Sequence, residues 1–233
     1  MKKYGNIIPI LIIAVSLVGC GIIQSSAVDR SDDSTAYLTN VLSSYDDGYG
    51  EMKSFETALS RFSNIDINLS VGDVTVEKGT DYSIEYCFPE KIQPEYGVKD
   101  GTLVIEGKEV KTISDNKLSK TYLIITVPEE MDLKDVSISV AMSDVNVDDI
   151  HADKLKGKTS MGDVYVKRCE FSDAKWDCAM GYVSFDGKYN KLNLESSMGD
   201  IKVSNNTNWK GTLKTGMGNI EVDGKPQGAL YTK

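Results

Sequence analysis

A short motif recurs along the second half of the chain at nearly constant intervals, and this regularity restricts the possible folds more than any other feature of the sequence. In each copy a methionine is followed by glycine or serine, and in three of the five copies the next residue is aspartate. The position after the methionine recurs at intervals of 19, 19, 18 and 19 residues, at Ser143, Gly162, Gly181, Gly199 and Gly218. Self-similarity at a fixed period is typical of repeat architectures, in which each unit packs on its neighbours.

Apolar and polar residues alternate on both sides of the motif, which is the period of a β-strand. The columns predicted to face the interior are Val140, Thr159, Cys178, Ser196 and Thr215; Met142, Met161, Met180, Met198 and Met217; Val145, Val164, Val183, Ile201 and Ile220; and Val147, Val166, Phe185, Val203 and Val222. The column predicted to face water is Asn146, Tyr165, Ser184, Lys202 and Glu221. Each repeat is therefore predicted to contain a strand, a corner and a second strand.

A single repeat is too short to close a sheet, but stacked repeats can pair strand on strand and merge their small interiors into one core. The sequence therefore predicts an all-β fold, a parallel β-solenoid (β-helix) with coils of about 19 residues. In this interpretation the flexible methionines fill the inside of each corner, and glycine turns the chain where a Cβ would be in the way.

The first half of the fold is predicted to be less regular. Residues 65–76 alternate in the same way around Gly72 and Asp73, so two strands are predicted to meet at that turn. Further strands are predicted at 82–88, 101–107 and 121–128. A near-helical spacing of apolar residues predicts a short N-terminal helix between residues 51 and 62, carried by Met52, Phe55, Leu59 and Phe62.

The N-terminus has the pattern of a secretory signal: Lys2 and Lys3, then an apolar run over residues 7–18. The run ends in Leu-Val-Gly-Cys at 17–20, which resembles the bacterial lipobox and implies cleavage before Cys20 and a diacylglycerol on its sulfur. The alternative is an uncleaved membrane helix over residues 7–23, at the short end of what spans a bilayer. The predicted organisation is a lipoprotein signal peptide at 1–19, a lipid-anchored flexible tether at 20–50 and the β-solenoid at 51–233.

Charge and cysteine usage exclude several classes of function. The formal net charge is −9, and a signal peptide would remove two lysines, so nucleic acid is a disfavoured partner because its phosphates would be repelled. Cys87, Cys169 and Cys178 lack metal-ligand spacing, and His151, the chain's one histidine, is expected to be a solvated loop residue. The three cysteines are expected to be small buried hydrophobes, with any pairing among them left open.

The corner aspartates are the first candidate site. Stacking would bring Asp144, Asp163 and Asp200, together with Asp73, into one column of like charges. Calcium could bridge such a column, which makes Asp144, Asp163 and Asp200 weak candidate ligands. The favoured interpretation is that each aspartate caps its own turn by accepting backbone N–H groups, with no metal and no cofactor.

Tyrosines form the second candidate site. Tyr165, Tyr182 and Tyr189 are predicted to lie near one another on an outer face, where they could bind a sugar or a protein, or could simply pack across strands. Lys202 and Glu221 supply one base and one acid without a second matched acid, so a cross-strand ion pair is expected there and no catalytic residue is predicted.

Several segments together resemble a known family. These are SVGDVTV, GTLVIEG and TYLIITVPEEMDLKDVSIS, followed by repeated S-x-G-D-[VI]-x-V, over about residues 65–222. They resemble the bacterial DUF4097 family of β-strand-repeat proteins, which carry an adhesin label. The resemblance implies a right-handed β-helical solenoid, often on an exported or membrane-anchored protein, and it implies no established activity.

The sequence thus predicts a non-catalytic binding protein held by lipid at the cell membrane, facing the extracytoplasmic side. Its expected partner is a cell-wall polymer, another envelope protein or a host surface, reached through the long flat faces of the solenoid. One alternative is an accessory or sensor protein of an envelope-stress system. A less favoured alternative is a polysaccharide-acting β-helix enzyme.

Overall fold

The computed structural model describes residues 48–204 and 208–233, and strands make up most of that part of the chain. The strands are β1 (Met52–Ala58), β2 (Asn64–Val71), β3 (Asp73–Gly79), β4 (Ser83–Pro89), β5 (Glu95–Lys99), β6 (Thr102–Glu106), β7 (Tyr122–Pro128), β8 (Leu133–Met142), β9 (Val145–Asp148), β10 (His151–Met161), β11 (Val164–Met180), β12 (Val183–Met198), β13 (Ile201–Ser204), β14 (Lys210–Met217), β15 (Ile220–Val222), β16 (Lys225–Gln227) and β17 (Leu230–Thr232). The described helices are a 3-10 turn at Glu90–Ile92 and α1 (Asp115–Leu118). The all-β prediction is confirmed.

All strands of the described residues belong to one 17-stranded sheet that curls into a half-barrel. Successive repeats pair in parallel at the interval that the sequence predicts: Val145 lies opposite Val164, Val164 opposite Val183, and Val183 opposite Ile201. The register is fixed because a slip by one residue would turn every buried side chain towards water.

Strands on the two sides of the methionine corner form two separate ladders. Ladder A contains the strands that end at the corner, in the order β6, β2, β8, β10, β11, β12 and β14. Ladder B contains the strands that begin after it, in the order β7, β3, β9, β11, β12, β13 and β15. The strands β11 and β12 run from ladder B into ladder A, and in β11 this passage occurs at Arg168, whose φ is 55°.

Antiparallel strands close the ends of both ladders. The hairpin of β5 and β6 ends ladder A on one side, and β17 pairs antiparallel with β14 on the other. Ladder B is extended antiparallel by β4 and then β1 at its first end, and by β16 at its last. Short closing strands limit the unpaired edge that could recruit another chain. The last repeat is covered by β16 and β17.

The helix predicted between residues 51 and 62 is wrong. Residues 52–58 form β1, which pairs antiparallel with β4 over its full length. Phe55 stacks on Tyr86 at 5.3 Å between ring centroids, and Phe62 is buried beyond the end of the strand. The spacing of four apolar residues was compatible with a helix, but pairing with a distant strand decided the local structure.

Three of the four columns predicted to face inward form part of the core. The side chains of the columns headed by Val140, Val145 and Val147 are all buried. Trp176 and Trp209 are the largest buried side chains among the described residues. The Trp176 ring occupies the space beside Gly157 in the neighbouring strand, where a Cβ would lie 2.0 Å from a ring carbon. Its Nε1 donates to Thr159 Oγ1 at 2.9 Å, so burying the indole leaves its polar atom bonded.

The methionine column is the exception, and the prediction that it faces inward is wrong. Met161 and Met180 are each 45% exposed, and Met217 is 66% exposed. Backbone fills the inside of the corner: Gly181 there lies so close to Gly162 that a Cβ on it would be 2.0 Å from the Gly162 carbonyl oxygen. Strand alternation stops at this point. Met161, Met180, Met198 and Met217 are left on the outer side of the corner, whereas Met142, in the first copy, packs partly against the core.

The three described cysteines, Cys87, Cys169 and Cys178, are free and buried, as expected of small hydrophobes. Burial raises the pKa of the Cys169 thiol to about 12. Cys20, the predicted signal peptide and nearly all of the predicted tether lie outside the described residues. Among the described helices, none is long and apolar enough to cross a membrane.

Candidate interaction surfaces

The corner glycines set the spacing between repeats. Gly162, Gly181 and Gly199 adopt φ values of 133°, 147° and 144°, a region that favours glycine. A Cβ on any of them would lie 1.9–2.0 Å from the carbonyl oxygen of the corner residue one repeat earlier. Glycine is therefore required both by backbone conformation and by the close approach of two backbones.

The corner aspartates link one repeat to the next. Asp144 Oδ1 accepts the Asp163 amide at 2.7 Å, and Asp163 Oδ1 accepts the Tyr182 amide at 2.8 Å. The same bond joins Asp73 to the Asp144 amide at 3.0 Å and Asp200 to the Asn219 amide at 2.7 Å. The prediction that each aspartate caps its own turn is therefore wrong. The carboxylate does accept a backbone N–H group, but that group belongs to the turn of the following repeat.

This arrangement satisfies an amide that the ladders do not reach. On either side of it, the Gly181 amide donates to Met198 O and the Val183 amide to Asp200 O, both in the following repeat. The intervening Tyr182 amide points the other way and needs an acceptor in the preceding repeat, which Asp163 supplies.

The calcium candidates Asp144, Asp163 and Asp200 thus each use one carboxylate oxygen to accept a hydrogen bond from a backbone amide. The described residues contain no group of three His, Cys, Asp or Glu side chains that could hold a metal ion.

Two of the three candidate tyrosines meet at this corner. The rings of Tyr165 and Tyr182 are 5.9 Å apart between centroids, and both side chains are half-buried. Tyr165 Oη donates to Asp163 Oδ2 at 3.2 Å, and Lys167 Nζ lies 5.1 Å from the Tyr165 ring centroid. Burial and the Asp163 charge raise the pKa of Tyr165. The pair forms a small aromatic patch on the outer face.

Tyr189 lies elsewhere. Its side chain is buried and stacks on Phe171 at 6.2 Å between centroids, with Phe185 at 5.7 Å. It belongs to the inward column at the start of ladder A, because Phe171 and Tyr189 are register partners. The expectation that it shares an outer face with Tyr165 and Tyr182 is therefore not met.

A groove of about 520 Å³ runs across the beginnings of the ladder A strands. It crosses five consecutive chain segments, from the start of β8 to the residues before β14. Its lining residues are Asp132, Leu133, His151, Ala152, Asp153, Glu170, Phe171, Ser172, Lys188, Tyr189, Asn190 and Asn208. Sequence reasoning missed this groove. The available signal was a column of polar residues, one in each repeat, that lies just before the first inward residue of each ladder A strand.

Acids and bases alternate along that column. His151 Nδ1 lies 3.6 Å from Asp132 Oδ1, and Lys188 Nζ contacts Glu170 Oε1. The hydrogen bond from Lys188 lowers the pKa of Glu170, so this carboxyl stays ionised. His151, predicted to be a loop residue, begins β10 and forms part of the groove wall. The groove presents a rigid row of polar side chains over an apolar floor.

Cross-strand ion pairs cover much of the remaining outer face. The predicted pair of Lys202 with Glu221 is confirmed at 3.2 Å, and the two residues are register partners in ladder B. In ladder A, Lys191 bonds Asp173 at 3.0 Å and Lys214 bonds Glu195 at 2.7 Å. Such exposed pairs contribute little stability, but they favour the register that joins opposite charges.

Solved structures that match this chain come from several bacteria. A "putative cell adhesion protein" of Clostridium sporogenes is 15% identical, with a TM-score of 0.49, over 74% of this chain and 99% of its own. A "putative adhesin" of Bacteroides fragilis is 15% identical, with a TM-score of 0.39, over 74% of this chain and 97% of its own. A "putative lipid binding protein" of Parabacteroides distasonis is 15% identical, with a TM-score of 0.39, over 76% and 96%.

No curated protein matches the chain. A family model does: the model described as Toastrack DUF4097 matches residues 62–231, which contain both ladders and the closing strands apart from β1 and the last residue of β17. The matched range includes every corner glycine and every corner aspartate described above. The chain therefore belongs to the Toastrack DUF4097 family.

Proposed function

We propose that this protein is a non-catalytic binding protein of the cell envelope that holds a polyhydroxylated wall polymer in the groove at the start of ladder A. The observation that carries the proposal is the shape of that groove, which crosses five neighbouring segments of one sheet. With strands about 4.8 Å apart, the groove extends roughly 19 Å, a length suited to several units of an extended chain.

The chemistry of the lining fits hydroxyl groups. Carboxylates such as Asp153 accept hydrogen bonds, Lys188 donates them, and the Asn190 and Asn208 amides do both. The three carboxylates in the groove outnumber its one lysine, so a strongly anionic polymer would be repelled and a neutral or partly cationic one favoured. Most of these side chains stand on paired strands, so little backbone has to be ordered on binding.

The ionisation of the groove supports binding over hydrolysis. A general acid for glycoside cleavage needs a carboxyl whose pKa is raised. The pKa of Glu170 is instead lowered, chiefly by the hydrogen bond from Lys188. This pairing leaves the polysaccharide-acting enzyme with less support than the binding protein.

We infer further that the two ladders form a right-handed β-solenoid with coils of about 19 residues. The parallel register offsets between Val145, Val164 and Val183 support this arrangement. We also propose that Cys20 carries a lipid that holds the protein on the outer side of the cell membrane, with residues 20–50 as the tether. The Leu-Val-Gly-Cys sequence at 17–20 supports the lipid. Replacement of Cys20 by Ser should then abolish lipid labelling.

Binding to purified wall material tests the function. The full chain in detergent is sedimented with insoluble cell wall, and the double variant K188A/N190A is compared with wild type. Loss of the lysine and amide from the groove should weaken binding on the order of tenfold. The matched control is K214A, which removes a lysine from the outer face of ladder A away from the groove. Wild-type affinity in the double variant would overturn the proposal, as would turnover of the polymer by the wild-type protein.

A further inference from the structure

The corner methionines are unusual because the structure does not bury them. Among the described residues, six large hydrophobic side chains are exposed, and four of them belong to this column. They are Met161, Met180, Met198 and Met217, at 45%, 45%, 38% and 66% exposure. Exposed apolar side chains gathered in one place mark a site of interaction more often than scattered ones do. Packing of the core therefore does not explain why methionine occupies this position.

Strand register places these side chains directly beside one another. Met142 pairs with Met161, Met161 with Met180, Met180 with Met198, and Met198 with Met217. The backbones of neighbouring strands are about 4.8 Å apart, so the methionine side chains of adjacent repeats start one strand spacing from each other. We call this row of five side chains the methionine ridge.

The backbone beneath the ridge is held firmly while the side chains remain adaptable. The Met180 carbonyl accepts the Gly162 amide at 3.1 Å, and the Met198 carbonyl accepts the Gly181 amide at 3.0 Å. Each methionine has three rotatable bonds and a polarizable sulfur. Two or three Sδ atoms from adjacent strands can therefore turn towards one point without moving the main chain.

Thioether sulfur is a neutral and soft ligand, which selects soft ions such as Cu(I) over Ca²⁺, Mg²⁺ and Zn²⁺. Because the ligands are uncharged, stacking them carries no electrostatic repulsion, unlike stacking of the corner aspartates. Asp163 and Asp200 lie two residues after Met161 and Met198, and their negative charges increase the attraction of a cation to the ridge. The buried thiol of Cys178 lies on the inner side of the strand and is not needed as a ligand.

We propose that the methionine ridge binds one soft monovalent metal ion, Cu(I), through the thioethers of Met161, Met180 and Met198. The site is separate from the groove, since no residue of the ridge lines it. It does not depend on the proposed binding of a wall polymer. The ion stays in the +1 state on binding, and no electron or proton is transferred.

Anaerobic titration of the full chain with Cu(I), in competition with a chromogenic Cu(I) chelator, tests the proposal. All proteins carry C20S, because an unmodified Cys20 thiol would itself bind the ion. We expect one Cu(I) per chain by native mass spectrometry and no comparable binding of Zn²⁺ or Ca²⁺. The triple variant M161L/M180L/M198L should bind at least roughly tenfold more weakly. The matched control M52L/M131L replaces two methionines outside the ridge and should bind as wild type.

Methyl NMR of the methionines locates the ion. With Ag(I) as a redox-inert substitute for Cu(I), the methyl signals of Met161, Met180 and Met198 should shift, and those of Met52 and Met131 should not. The single variant M180L, in the middle of the ridge, serves if the triple variant fails to fold. Equal Cu(I) affinity in wild type and M180L, or Ag(I) shifts confined to residues outside the ridge, would overturn the proposal.

Discussion

The carboxylate of Asp144 accepts the backbone amide of Asp163 at 2.7 Å, one repeat further along the chain. The bond takes the place of a backbone hydrogen bond that neither ladder makes at the corner, where the glycine turns the backbone. An aspartate at this position therefore stabilises the following repeat more directly than its own. The corner aspartates therefore hold neighbouring repeats together, and the surfaces available to partners lie around them.

Removal of one carboxylate should destabilise the corner. In D163A the Tyr182 amide loses its acceptor, and we expect the free energy of unfolding to fall by about 0.5–1.5 kcal/mol. In D163N the amide oxygen can still accept, so the loss should be smaller. Urea denaturation of the two variants and of D153A, an exposed control, measures this difference. Equal stability of D163A and wild type would contradict the proposed role.

Replacement of a corner glycine should cost more. G181A places a Cβ about 2.0 Å from the Gly162 carbonyl oxygen, at a residue whose φ is 147°. The strain should lower stability by roughly 1–3 kcal/mol or more. G97A is the matched control, since a Cβ there meets no atom within 4 Å. Thermal unfolding should show a lower Tm for G181A and an unchanged Tm for G97A, whereas equal values would argue against the close approach.

Sequence reasoning predicted the all-β class and the parallel register because both follow from periodicity that the chain displays directly. It could not predict that Met161 faces outward, because the corner interrupts strand alternation at the motif itself, and the direction of a side chain there depends on the backbone of the turn. The partner of Asp163 was missed for a related reason: the relevant amide belongs to Tyr182, 19 residues away, and its direction depends on the backbone of the turn. The groove depends on which side chains are neighbours at the beginnings of the ladder A strands. No conspicuous sequence motif marks that part of the repeat.

Asp73 should make stability depend on pH in a characteristic direction. Burial, with the charge of Asp144 also acting, raises the pKa of Asp73 above its usual 3.8 in the folded protein. The folded state then binds the proton more tightly than the unfolded state, so the ionised carboxyl destabilises the fold once the pH exceeds the unfolded value. D73N keeps an acceptor and cannot ionise. The stability of wild type relative to D73N should therefore fall as pH rises from 3 to 7 in urea denaturation, and a rise would contradict the account.

The hydroxyl of Tyr189 is buried without a hydrogen-bond partner among the described residues. Y189F should therefore be as stable as wild type or more stable, by up to about 1–2 kcal/mol, because an unpaired polar atom is removed. W176F is the informative contrast, since it removes a donor that bonds Thr159 and leaves space in the core. Urea denaturation should rank Y189F above W176F. A clear loss of stability in Y189F would show that the hydroxyl is bonded.

Hydrogen exchange with and without bound polymer shows whether the groove is where the polymer binds. The full chain is exchanged alone and in the presence of isolated, solubilised wall polymer, and protected peptides are identified by mass spectrometry. We expect protection in peptides that cover residues 132–133, 151–153, 170–172 and 188–190, which together form most of the groove lining. Protection confined to the corner around Tyr165 and Tyr182, or no protection in any groove peptide, would contradict it.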